Sequence, residues 1–347
     1  MKYRLPVLDL LRWFLATYVI MFHFWAWTKA DTFWETKKLT AAFLQYGYLS
    51  VDMFFIISGI AIAASTLSKS SSDFLTSRIR RLIPTFIFVS LIETTVMIGM
   101  YLRGEYDYGR TLFFILSVSS KNLLPVSGDD AALRNFVAWS LAVEVIFYIL
   151  VWVAIALSVR MSSIKTREIV YFSRLIVGIL YVIGYTEFNA LNNASIVIYL
   201  PYFILGVNLW CLFSGSKEIK KPWLIDFIIL IPLLSKTISS RLNSAKMPNY
   251  EIIGASILFT VFFAILLSLV IKIPSLNNFS KIVGNASYAL YLLGGFTSIA
   301  LFTRAKGDIG IFKAALIVYL LSCTVAILYQ IFLDKKFQNI LFKKFLR

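Results

Sequence analysis

Apolar residues in this chain are gathered into long runs separated by short polar segments. A helix that crosses a bilayer needs about 20 predominantly apolar residues. Runs that meet or approach that length begin near Val7, Ala41, Leu82, Phe136, Ile169, Ile196, Trp223, Ile252, Val283 and Ile311. The pattern predicts an all-α polytopic membrane protein of about ten transmembrane helices. A further run, Thr111 to Leu124, is shorter and ends in Lys121, Asn122 and Pro125. No linker or low-complexity tract interrupts the series, so residues 1–347 read as a single membrane-embedded domain. No internal repeat is evident, which counts against a repeat-built transporter.

The basic residues between the runs set the expected orientation, because cytoplasmic loops carry an excess of Lys and Arg. With the short run not crossing, the larger share falls on one side. That side holds Lys2 and Arg4, the group Lys69, Arg78, Arg80 and Arg81, and a tail with Lys335, Lys336, Lys343, Lys344 and Arg347. Both termini are therefore expected in the cytoplasm. The segment 103–135 is expected outside, with 111–124 able to dip back into the membrane.

Composition sharpens this picture. Of 347 residues 59% are hydrophobic and 15% charged, whereas soluble domains sit near a quarter charged. A net charge of +16 would suggest nucleic acid in a soluble protein, but here it follows from the topology. Nucleic acid is not expected as a partner; membrane lipid is. The two cysteines, Cys211 and Cys323, both lie in apolar runs, and His23 is the single histidine, so neither a disulfide framework nor a zinc site is indicated. The first apolar run, interrupted by Arg12 and His23, does not read as a cleavable signal peptide.

Ionisable residues inside spans are costly, and each marks a candidate functional position. Arg12 and His23 are eleven helical steps apart. That is three turns plus about 20°, so both project from one face, about 16 Å apart along the axis. Arginine grips phosphate as a planar donor fork, and histidine both takes and gives a proton near neutral pH. The alternatives are a snorkelling arginine and a histidine held by an interhelical hydrogen bond. Asp52 lies several residues inside the second run, as a partner for His23 or for an acceptor hydroxyl, and Gly47, Ser58 and Gly59 around it permit close helix contact. Arg78 and Arg81 share a helix face before the third span, fit either to bind phosphate groups or to meet anionic lipid. Glu144 sits in an otherwise apolar run, four residues after Ser140 on the same face. It is placed either to orient His23, as a buried acid does in hydrolytic triads, or to hold a helix–helix hydrogen bond.

In order, these pieces are Leu8-Asp9-x-x-Arg12, His23, Gly47-x-x-x-Val51-Asp52-x-Phe54-Phe55-x-x-Ser58-Gly59, Arg78-x-x-Arg81-x-x-Pro84 and Trp139-Ser140-Leu141-x-x-Glu144-x-x-x-Tyr148. Taken together the sequence resembles the acyltransferase-3 family, membrane enzymes that O-acylate bacterial surface glycans and other extracytoplasmic acceptors. Ser287-Tyr288-Ala289-Leu290-Tyr291-Leu292 resembles a late family motif. The resemblance implies a multi-pass protein of the bacterial plasma membrane and an acyl-CoA donor on the cytoplasmic side, usually acetyl-CoA. It also implies a glycan or lipid-linked oligosaccharide acceptor outside, no metal, and essential roles for Arg12 and His23. The expected catalytic set is His23, Glu144 and Asp52, with Arg12, Arg78 and Arg81 on the donor phosphates. Where the family often carries a further histidine after the late motif, this chain has Gly294, so a two-histidine mechanism does not carry over. With no hydrolase-like domain after the last span, a stand-alone transferase is expected. The rival readings are a glycan transporter or flippase using these groups as a proton relay, and a non-catalytic membrane partner of a glycan assembly complex.

Overall fold

The computed structural model describes residues 6–28, 37, 40, 43–66, 71–105, 137, 139–160, 199–213, 257 and 278–342. Among them every regular element is helical. The helices are α1 (Pro6–Thr28), α2 (Ser50–Thr66, entered through a 3-10 turn at Gly47–Leu49), α3 (Ser71–Leu102), α4 (Trp139–Arg160) and α5 (Leu200–Phe213). They continue with α6 (Asn278–Leu293), α7 (Phe296–Ile309), α8 (Ile311–Leu328) and α9 (Asp334–Phe342), the last two joined through a widened turn at Tyr329–Leu333. The runs beginning near Ile169 and Trp223, nearly all of that near Ile252, and the short run 111–124 lie outside the described residues.

Among the described residues four stretches are long and apolar enough to cross a membrane: Val7–Thr28, Gly47–Ala64, Ser71–Leu102 and Ile311–Phe342. The run expected as one span from Val283 is a broken pair instead. Phe279–Leu293 and Phe296–Ile309 are bent by 65° at Gly294–Gly295, and together they form a fifth stretch. Apolar side chains such as Phe312, Leu316 and Leu320 stand exposed on one face of α8. Water would not tolerate such a face, and hydrocarbon would. The protein is thus a helical membrane protein.

α3 has 32 residues and a length of about 48 Å, well beyond the roughly 30 Å of a hydrocarbon core. Arg78, Arg80 and Arg81 therefore lie on the same unbroken helix as the third span, toward its polar N-terminal end. Pro84 is accommodated inside this helix.

The described residues fall into two compact units. The first takes in Val51–Arg78 and Val143–Pro274. Its packing is set where α2 meets α5: a Cβ at Gly59 would overlap the Phe203 carbonyl, and one at Gly206 would overlap the Ile56 carbonyl. Lacking side chains there, the two backbones approach directly, as membrane helices do at small residues. Phe203 then stacks on Phe55 and Phe147, with ring centroids 4.9 and 4.3 Å away.

The second unit takes in Pro6–Ser50, Ile79–Ala142 and Ser275–Arg347. In it α6 packs along α1, and α8 packs on α6 and α7. Phe24 of α1 stacks on Phe302 of α7 at 4.5 Å, and Phe88 of α3 on Tyr329 at 4.3 Å.

Candidate functional site

α1 keeps Arg12 and His23 in one continuous helix, both buried at 8% exposure. Asp9, in the first turn, is buried as well, and its carboxylate meets the Arg12 guanidinium at 3.3 Å. A carboxylate in a first turn is favoured by the helix dipole, and the pair satisfies two charges that would be costly alone. Arg12 is thus a buried, paired cation rather than one reaching for the interface. Close approach of α6 completes the arrangement: a Cβ at Gly284 would fall on the Asp9 side chain. Gly284→Ala is therefore expected to push Asp9 aside and loosen the hold on Arg12. The readout is thermal unfolding in detergent, where Tm should fall below that of the wild type; an unchanged Tm would refute the contact.

His23 is fixed at one ring nitrogen. Its Nδ1–H donates to the Gly294 carbonyl oxygen at 2.8 Å. A carbonyl can only accept, so the proton resides on Nδ1 and Nε2 is the basic nitrogen. The carbonyl is available because the helix breaks there. α6 ends with Gly294 N–H donating to Leu290 O and Gly295 N–H to Leu292 O, and α7 opens with Ile299 N–H donating to Gly295 O. In an unbroken helix the Gly294 carbonyl would be taken by the amide four residues on. Glycine is also required by space, since a Cβ at 294 would overlap Ile20 of α1. From the sequence, Glu144 or Asp52 was expected to orient His23; at Nδ1 the partner is this backbone carbonyl.

The remaining sequence candidates, apart from Arg81, belong to the first unit. Asp52 is wholly buried in the first turn of α2. Glu144 of α4 accepts a hydrogen bond from Ser58 Oγ at 3.2 Å, and Tyr148 OH donates to the same carboxylate oxygen. Two hydroxyl donors on one oxygen are a normal way to satisfy a buried carboxyl group. Arg78 is buried, its guanidinium 5.2 Å from the Phe74 ring centre and 5.4 Å from that of Tyr148. Ser58, read mainly as a small packing residue, is a polar contact of Glu144. Arg81, one turn beyond Arg78 on α3, is half-buried.

Some buried polar groups escaped the sequence reading. Glu93 is wholly buried in α3. The rule that marked Glu144, an ionisable side chain inside an apolar run, applies to it equally. In the second unit Ser140 Oγ lies 2.9 Å from Tyr291 OH, and both hydroxyls donate to the Val137 carbonyl, pinning the start of α4 to α6. Among the described residues no three His, Cys, Asp or Glu side chains gather as a metal ion would require.

A buried arginine and a histidine tied at Nδ1 to a backbone carbonyl thus share one apolar helix of an integral membrane protein. The profile of a family described as an acyltransferase domain matches residues 5–339. The chain belongs to that family, acyltransferase-3. It is similar to the O-acetyltransferase OatA of Staphylococcus aureus strains NCTC 8325 / PS 47, COL and MRSA252. In each case identity is 25% over 321 residues, covering 83% of this chain and 49% of the relative. The chain thus spans about half the length of the curated relatives it matches. No solved structure matches it.

Proposed function

We propose that this chain is a membrane O-acyltransferase of the bacterial plasma membrane. It moves an acyl group, acetyl before others, from cytoplasmic acyl-CoA to a hydroxyl of an extracytoplasmic glycan such as O-antigen or exopolysaccharide. The observation that carries this reading is His23, buried in α1 with its tautomer set by Gly294 and with Arg12 on the same helix face. Membership of the acyltransferase-3 family and the name of the matched relatives supply the reaction class.

In this reading Arg12, with Arg78 and Arg81, holds the phosphates of the donor, and the acyl thioester reaches into the membrane interior. His23 Nε2 takes the proton of the acceptor hydroxyl, and the oxygen attacks the thioester carbonyl carbon. The tetrahedral intermediate collapses, the C–S bond breaks, and the proton passes to the leaving sulfur. Asp52 and Glu144 are the carboxylates that support acceptor binding or proton movement. Membrane vesicles carrying the protein, given radiolabelled acetyl-CoA, should place label in lipid-linked or surface glycan. Movement of glycan without any covalent label, with several acyl-CoA donors tried, would assign the chain to transport instead.

A further inference from the structure

Resting on the acyl-transfer reading, we propose that the first turn of α7 is the oxyanion site of the reaction, with the Thr297 hydroxyl and the Thr297 and Ser298 amides as its donors. Attack on a thioester carbonyl moves the π pair onto oxygen, and an enzyme must meet that charge with donors already in place.

The break at Gly294–Gly295 creates such donors inside the bundle. The first intrahelical bond of α7 is Ile299 N–H to Gly295 O at 3.3 Å, so the amides of Thr297 and Ser298 precede it. Donors ahead of that first bond have no partner within their own helix. The N-cap, Gly295, has no side chain to cap them. The helix dipole adds partial positive charge at the same point, and α7, at 14 residues, is long enough to carry it.

Two neighbouring hydroxyls have different fates. Ser298 Oγ donates to Leu293 O at 2.7 Å across the break and lies 2.9 Å from Ser322 Oγ of α8. It is committed to holding the bend. Thr297 is 5% exposed, and its hydroxyl oxygen is buried with no hydrogen-bond partner among the described residues. A buried hydroxyl left so is costly, and one retained at a helix start points to a ligand. Cα–Cβ bonds tilt toward a helix N-terminus, so the Thr297 Cβ leans to the side of the open amides.

The donors also lie close along the chain to the residue that holds the base. Gly294, which accepts from His23, is three residues before Thr297, so their Cα atoms are separated by at most about 11 Å of chain. One bend therefore holds the base and presents the donors. In the step, the acceptor proton goes to His23 Nε2, the new C–O bond forms, and the carbonyl oxygen becomes the anion held by α7. When the C–S bond breaks, the π bond re-forms and the thiolate takes the proton from His23.

The test is thiol release from acetyl-CoA by membrane vesicles with their endogenous glycan, comparing wild type, Thr297→Val, Thr297→Ser and His23→Ala. Thr297→Val keeps the side-chain shape and loses the donor, so kcat should fall by about 10²-fold, the effect of deleting one oxyanion donor. The KM for acetyl-CoA should stay within about twofold, because the donor acts only in the transition state. Thr297→Ser should retain most of the rate. A Thr297→Val enzyme within about threefold of wild type, beside an inactive His23→Ala form, would overturn this site alone. Equal losses in the Val and Ser forms with lowered Tm would assign Thr297 to structure and overturn it too. A wild type inactive with every acyl-CoA would overturn the enzymatic reading and the site with it.

Discussion

Replacing His23 by asparagine is expected to abolish acyl transfer while leaving the protein inserted and close to wild-type stability. The asparagine amide can still donate to the Gly294 carbonyl, the contact that His23 Nδ1 makes at 2.8 Å. It lacks a basic nitrogen in place of Nε2. Loss of a positioned general base costs roughly 10²–10⁴ in rate, and more when no other group takes over the proton. His23→Ala should be equally inactive but also less stable, by about 1–3 kcal/mol, because a buried carbonyl loses its donor. The pair of variants separates proton transfer from architecture. Acetyl transfer above a tenth of the wild-type rate in the asparagine form would rule out His23 as the base.

The second large effect is on folding. Gly59→Val should destabilise the first unit by about 3 kcal/mol or more, the upper range for overpacking. A Cβ at 59 would overlap the Phe203 carbonyl oxygen and lie 3.1 Å from Gly206 Cα, and neither atom can swing away as a side-chain tip would. Gly99→Ala is the matched control. A Cβ at 99 meets nothing within 4 Å, and a helical glycine with open space beside it gains up to about 1 kcal/mol on becoming alanine. Thermal unfolding in detergent should show a clear fall in Tm for the first and none for the second. Equal Tm values would mean that α2 and α5 do not meet in this way.

The sequence announced those features whose cause is a side chain. Arg12, His23, Asp52 and Glu144 were legible because a charge or imidazole inside an apolar run has no cheap explanation, and all four lie inside helices. The close approach at Gly59 was legible from its small size, although its partner Gly206 was not. What could not be read was backbone. The run from Val283 carries nothing but two glycines to mark a 65° bend, and glycine pairs also occur in straight membrane helices. The partner of His23 Nδ1 was missed for the same reason, since a carbonyl is common to every residue. Glu93 was legible and passed over, because it stands outside any recognised motif.

That bend has a bearing on how this chain can vary. The contact that sets the His23 tautomer has no side chain on its accepting end, so a scan that truncates side chains would find His23 and pass over its partner. Away from His23 and Gly294 themselves, substitutions reach it by altering the bend, and a straightened segment returns the Gly294 carbonyl to a ladder hydrogen bond. The proton-bearing nitrogen of the only histidine in the chain is thus inherited through the shape of a helix pair, and it should persist through drift at most neighbouring positions so long as residue 294 stays glycine.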